Sequence, residues 1–152
     1  MVDLGTGTGR LALGAALLGA ARTTGIDIDP TAISVALENS KVAGLDVDWV
    51  VGDLEVIRGR FDTVVMNPPF GTKTKHVDKI FLKKALGLAS IVYSFHKSAT
   101  REHVLAYLGR SGAKVSAIHE YTLGIPRMFQ HHKKRKHVVR VDCYRIESRT
   151  TA

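Results

Sequence analysis

Apolar positions recur along this chain with two periods, and the switches between them mark out its elements. Short apolar runs at residues 1–4, 23–28, 47–51, 61–66, 91–95, 113–121 and 138–146 read as seven strands. Helical spacing fills most of the intervals. Residues 10–19 predict a helix stopped by Gly19. Asp29-Pro30 is a helix start, with Asp as cap and Pro at the first helical position, and Ile33, Ala36, Leu37 and Ala43 form its apolar stripe before Gly44 ends it. Val77, Phe81, Ala85 and Leu88 mark a third helical face. Ser98 is placed to cap a fourth helix running to about Arg110, with Glu102 in its first turn. Strands alternating with helices predict an α/β fold of βαβ units around a mostly parallel sheet. The last two strands are joined only by a loop rich in Lys, Arg and His, so that pair is expected to be antiparallel. With no repeat and no linker, residues 1–152 read as one domain.

Four of these strands end on residues that carry chemistry. Gly5-x-Gly7-x-Gly9 follows the first strand and opens a helix. Glycines there allow a tight turn and bring a ligand close to backbone amides at a helix N-terminus, though the run alone also reads as a plain strand-to-helix turn. A dinucleotide fingerprint would place glycine at position 10, where this chain has Arg10, so the spacing suits a nucleoside-type ligand without a pyrophosphate. Asp3 lies just before the turn, placed to meet a cationic amine. Asp27 ends the second strand, where α/β folds set an acid to grip ribose hydroxyls. Asp29 reads as the helix cap. Asp53 follows the third strand, where its carboxylate can accept from an adenine amine or serve as a turn residue.

The fourth strand ends in Asn67-Pro68-Pro69-Phe70. Consecutive prolines fix φ near about −65° and remove two backbone donors. They also push Asn67 out of the helical region. A stiff turn carrying an amide, free carbonyls and an aromatic ring has the groups needed to hold a planar base by its exocyclic amine. Taken alone, it reads equally well as a strand-terminating turn with a packed Phe. In an open α/β sheet the carboxyl ends of the strands form the ligand crevice, and these four features fall at successive strand ends.

Composition narrows the setting. An apolar fraction of 45% over 152 residues supports a real core. The longest apolar run, residues 11–21, is too short to span a bilayer, and no basic segment precedes it as a signal peptide would require. The single cysteine, Cys143, leaves no internal disulfide and fits a reducing compartment, so a cytoplasmic protein without membrane attachment is expected. Charge is uneven: residues 1–62 hold 5 Lys/Arg against 9 Asp/Glu, and residues 63–152 hold 17 against 5. A basic half beside an acidic half suggests a polyanion on one side and a different ligand on the other. Arg127, Lys133, Lys134, Arg135 and Lys136, in and before the loop of the last hairpin, read as a phosphate-contacting arm or as a solvated loop. Met128 and Phe129 beside them read as base contacts or as packing residues, with packing the favoured reading. His131, His132 and His137 do not read as a metal site, because adjacent side chains diverge in a strand and no partner cysteines exist. Lys73, Lys75, His96, Lys97 and Arg101 extend the basic surface or are ordinary caps and solvated charges. Trp49 reads as a half-buried packing residue on an edge strand.

Together these stretches resemble the class I S-adenosylmethionine-dependent methyltransferases of the N6-adenine type. More closely, they resemble the methyltransferase-like 5 family of small-subunit rRNA adenosine N6-methyltransferases in its archaeal form. The likeness rests on Asp3-Leu4-Gly5-x-Gly7, Gly25-Ile26-Asp27-Ile28-Asp29, Gly52-Asp53 and Asn67-Pro-Pro-Phe-Gly-Thr-Lys73. It rests further on the run Tyr-Ser-x-His-Lys-Ser-x-Thr-Arg-Glu-His at 93–103 and on His132-Lys133-Lys134. The resemblance implies a seven-stranded Rossmann-like methyltransferase sheet, mostly parallel with an antiparallel last hairpin and helices on both faces. It implies S-adenosyl-L-methionine as methyl donor, held by Asp3, Gly5, Thr6, Gly7, Asp27 and Asp53, and an adenine held by Asn67, Pro68, Pro69 and Phe70. Its expected partners are rRNA and a small zinc-binding activator subunit that docks by strand addition on the Trp49 edge. Family members carry a further segment before the glycine turn, so the first strand is expected to be truncated and the catalytic domain N-terminally incomplete. Transfer to a protein glutamine amide or to guanine N2, and a non-catalytic RNA-binding paralogue, remain alternatives.

Overall fold

The computed structural model describes residues 1–69, 77–126 and 136–148. Phe70, Lys73, Lys75, Arg127, Met128, Phe129, His131, His132, Lys133, Lys134 and Arg135 lie outside the described residues, and of Lys136 and His137 only the backbone is described. Seven strands form one sheet: β1 (Val2–Leu4), β2 (Thr24–Asp27), β3 (Asp48–Val51), β4 (Phe61–Met66), β5 (Ala89–Lys97), β6 (Lys114–Pro126) and β7 (Lys136–Glu147). Their order is β3-β2-β1-β4-β5-β7-β6. Strands β1 to β5 pair in parallel, and β7 lies antiparallel to both β5 and β6. The mostly parallel sheet with an antiparallel final pair is therefore present.

The helices are α1 (Arg10–Leu17), α2 (Pro30–Ala43), α3 (Val77–Leu88) and α4 (Arg101–Arg110). From β1 the chain moves outward through α1 and α2 to β3, then returns past β1 to β4 and proceeds the other way. Right-handed crossovers consequently put α1 and α2 on one face and α3 and α4 on the other. On the α3/α4 face, Val2, Leu4, Ile26, Val64, Met66, Val92, Tyr144 and Ile146 pack against Leu82, Ala85 and Leu88 of α3 and Val104 and Leu108 of α4. Truncating one of these leucines to alanine costs about 2–5 kcal/mol, which fixes the helices to the sheet. The opposite face is organised by Trp49. A Cβ at Gly25 would lie 2.4 Å from its ring, and one at Gly9 2.5 Å, so both positions must lack a side chain for the indole to lie over them. The indole Nε1 donates to Ser40 Oγ of α2 at 3.1 Å. Trp49 is thus a packing residue on an edge strand, as expected.

Two sequence expectations change. Ser98 does not cap the fourth helix. It opens a short 3-10 turn (Ser98–Thr100), and its hydroxyl donates to Asp142 Oδ1 at 2.6 Å. α4 starts at Arg101 without a side-chain cap. The last two strands also run past their expected ends at 121 and 138. β6 continues to Pro126, opposite Lys136, because an edge strand tolerates Gly124 and Pro126 where an inner strand would not.

Candidate active site

Successive strands are added outward from β1 to β3 and then in the opposite direction from β4, and this switch between β1 and β4 leaves a crevice at the carboxyl ends of the strands. A cavity of about 670 Å³ occupies it. Gly5, Asp27, Gly52 and Asp53 line one side, and Asn67 and Pro69 the other. Four strand ends therefore meet in one space, as their spacing predicts. Ile28, Leu54, Val77, Ile80 and Phe81 complete the lining. The sequence signals for these were an apolar residue directly after each strand-end acid (Asp27-Ile28, Asp53-Leu54) and the helical face of α3. That face serves the cavity at its N-terminal end and the core further along. Gly5 adopts φ +68, and a Cβ there would come within 2.8 Å of the Phe81 ring, so glycine is required for α3 to close over the turn.

The other expected donor-site residues act behind this surface. Asp3 is 1% exposed. Its Oδ2 accepts from Thr6 Oγ1 at 2.6 Å and from the Ala12 amide at 3.0 Å, while Oδ1 is buried with no partner among the described residues. Burial pushes the carboxyl up to about 6, against those two hydrogen bonds, and Asp27 adds a smaller upward push. Thr6 is an orienting residue for Asp3, and Gly7 donates its amide to Asp27 Oδ2 at 2.8 Å. Asp27 Oδ1 accepts from the Asp29 amide at 3.0 Å. Asp29 caps α2 by accepting from the Thr31 amide at 2.8 Å. Asp53 accepts from the Glu55 amide at 3.0 Å. Each carboxylate oxygen keeps a second lone pair, so Asp27 and Asp53 still offer acceptors to a ligand. Pro68 is buried between the exposed Asn67 and Pro69, anchoring the turn from below.

The run at 93–103 is a scaffold more than a surface. His96 is 2% exposed, its Nε2 sits 2.6 Å from Ser94 Oγ, and its ring meets Tyr144 edge-on. Burial pushes its imidazole down to about 4, partly offset by Asp78 and Asp142, so it is neutral near pH 7. Arg101 grips Asp142 twice, Nε to Oδ2 at 2.7 Å and Nη2 to Oδ1 at 2.8 Å, and reaches Glu120 at 3.0 Å. Tyr144 also donates to Asp142 at 3.1 Å. The Arg101 hydrogen bond leads in holding the Asp142 carboxyl down to about 2. Asp142 and Glu120 carried no signal in the sequence reading. Among the described residues no group of three or more His, Cys, Asp or Glu side chains is placed to hold a metal ion, and no helix is long and apolar enough to cross a membrane.

Residues 1–68 match the ribosomal protein L11 methyltransferase (PrmA) family. Over 96% of this chain and 74% of its own length, the rRNA N(6)-adenosine-methyltransferase METTL5 of Danio rerio is 38% identical. MJ0284 of Methanocaldococcus jannaschii is 39% identical over 97% of this chain and 73% of its own. The crystal structure of PH1948 from Pyrococcus horikoshii superposes with a TM-score of 0.84 at 36% identity, covering 97% of this chain and 73% of that one.

Proposed function

The chain belongs to the METTL5 family of rRNA N6-adenosine methyltransferases, and on that premise we propose that it transfers a methyl group from S-adenosyl-L-methionine to N6 of an adenosine in small-subunit rRNA. The observation that carries this reading is the convergence of Gly5, Asp27, Asp53 and the Asn67–Pro69 turn on one cavity at the switch point.

The residues present fit the donor. An orphaned, buried carboxylate oxygen on Asp3 and the open acceptors of Asp27 and Asp53 suit a ligand with a cationic amine, ribose hydroxyls and an adenine amine. The donor's sulfonium supplies an activated methyl group. What the protein must add is position. The N6 lone pair of adenine is delocalised into the ring and is a poor nucleophile. The Asn67 side-chain oxygen and the Pro68 carbonyl accept its two N–H bonds, drawing the nitrogen toward tetrahedral geometry and freeing the lone pair for in-line attack on the methyl carbon. The C–S bond would break to leave the neutral thioether, and N6 would give up one of its protons to solvent. Pro68 and Pro69 hold those acceptors rigid, and Phe70 stacks on the base, worth about 1–3 kcal/mol. The target base must be unpaired or flipped out. Arg127, Lys133, Lys134, Arg135 and Lys136 contact RNA phosphates, and an activator subunit pairs with the β3 edge.

Incubation with small-subunit rRNA and labelled S-adenosylmethionine, followed by nucleoside mass spectrometry, is expected to yield N6-methyladenosine. Label on guanine N2 or on protein glutamine alone would reject the adenine assignment. Asn67→Ala is expected to lower transfer by more than about a hundredfold while RNA affinity changes little. Retained transfer with lost RNA affinity would remove Asn67 from its role.

A further inference from the structure

The pairing of β5 with β7 ends at Lys97 and Val141, but β6 and β7 continue together to Pro126 and Lys136. Five residues of each strand therefore project past the sheet as a two-stranded ribbon, about 17 Å long. Because β6 runs parallel to β5, the projection lies on the carboxyl edge, the same edge as the cavity. Its base is locked. Glu120 and Asp142 face each other across the two strands, and Arg101 binds both. From Tyr121 through Val141 the chain has six Lys or Arg and no Asp or Glu, so the acids stop where the ribbon begins. Tyr121 pairs with Val141 and Leu123 with Val139, which puts all four on one face. At that face Tyr121 is 48% exposed and Leu123 51% exposed.

An aromatic and an aliphatic side chain left open on a ribbon that carries Arg140 and leads into a sequence rich in Lys and Arg, with no acid, match one class of ligand. A protein or a second copy of this chain would need acidic and apolar side chains set side by side at this spacing. An RNA strand brings both negative charge and flat apolar bases. We propose that Tyr121 and Leu123 form a stacking platform for an unpaired base of the RNA substrate, a few nucleotides from the target adenosine. By strand spacing and rise, Tyr121 stands about 15 Å from Asn67, three strands across and two residues further out. Stacking of this kind tolerates any base, so the platform adds affinity without specifying sequence. The inference rests on the reading of the protein as an RNA methyltransferase.

The test uses the full chain and unstructured oligoribonucleotides with one central adenosine and 5-bromouracil at successive flanking positions. Irradiation is expected to crosslink Tyr121 from one or two adjacent positions, located by mass spectrometry. Tyr121→Ala is expected to weaken binding about 5- to 150-fold with the salt slope unchanged, because no ionic contact is lost. Tyr121→Phe, which keeps the ring, recovers most of that loss. Unaltered affinity of S-adenosylmethionine for Tyr121→Ala excludes a folding defect. Wild-type affinity in Tyr121→Ala, or crosslinks confined to other residues, would overturn the platform while leaving methyl transfer intact. Self-association of wild type that Tyr121→Ala abolishes, with RNA affinity unchanged, would assign the face to a second copy. A wild-type protein that binds S-adenosylmethionine but neither binds nor methylates RNA would sink both the platform and the functional reading.

Discussion

Asp3 carries an energetic conflict. It is buried within β1 with one oxygen unpartnered among the described residues, and burial holds its carboxyl up to about 6. The ordinary carboxylate value is about 4. A group raised on folding contributes stability fully below its unfolded value, and that contribution is lost as pH rises through its folded value. The ionised carboxylate is therefore a liability to the fold above pH about 6, on the order of 2–3 kcal/mol. Asparagine keeps an oxygen for Thr6 and Ala12 but removes the charge. Asp3→Asn is expected to melt higher than wild type at pH 8, with the two curves converging below pH about 4 and the gap opening through pH 6. The same variant is expected to lose affinity for S-adenosylmethionine by titration calorimetry, since the charge that would meet the donor's amine is gone. A lower melting temperature at pH 8 would contradict the assignment of burial as the dominant cause.

Among the elements, the clamp at the base of the β6–β7 ribbon decides most. Its parts come from three places: Arg101 at the start of α4, Glu120 on β6 and Asp142 on β7. Sequence separation hides such a cluster, and its basic member read as a surface charge. Ser98 read as a cap for the same reason, since a serine before a helix and a serine reaching a strand 44 residues later look alike in sequence. The ribbon was hidden by Gly124, Pro126 and Lys136, which suggest loop wherever the strand's edge position is unknown. By contrast, the Asp29-Pro30 start, the Gly44 stop and the 61–66 strand follow from local chemistry alone, and all three stand in the structure. The clamp makes a prediction opposed in sign to simple electrostatics. Asp142→Asn makes a basic protein more basic, which by charge alone would tighten RNA binding. Removing the Asp142 charge instead weakens the hydrogen bonds it accepts from Arg101, Ser98 and Tyr144, at a cost of about 1–3 kcal/mol, and frees the ribbon base. Thermal unfolding is expected to shift downward, and RNA affinity by fluorescence anisotropy to fall. Glu120→Gln, at the more exposed partner, is expected to weaken binding in the same direction with a smaller loss of stability. Tighter RNA binding by both variants would mean the clamp does not position the ribbon.

For the molecule as a whole, charge divides along the sheet. The acidic first 62 residues build β1 to β3, the start of β4 and the Gly5, Asp27 and Asp53 lining of the cavity, whereas the basic remainder builds the Asn67–Pro69 lining and the ribbon. The cavity lining was legible because these residues sit at strand ends, where a parallel sheet opens its crevice. What spacing could not reveal is which oxygens are already engaged: Thr6 and Gly7 turn out to serve Asp3 and Asp27 rather than line the cavity. On the proposed function, the basic residues between β6 and β7 would supply the long-range electrostatic part of RNA binding, separate from both chemistry and stacking. Each phosphate contact releases condensed counterions, so affinity for a single strand falls with salt by a slope of about 0.7 per contact. Replacing Lys133, Lys134, Arg135 and Lys136 with glutamine is expected to lower affinity for all RNA sequences alike and to flatten that slope by up to about 3. Methyl transfer at saturating RNA is expected to stay near the wild-type rate, because none of the four holds the adenine or the donor. The measurement is the affinity of one oligoribonucleotide across a salt series, alongside single-turnover rates. An unchanged slope would make the segment a solvated loop and move the polyanion contact elsewhere on the basic half. A flattened slope with a lost single-turnover rate would instead place these residues within reach of the reacting base.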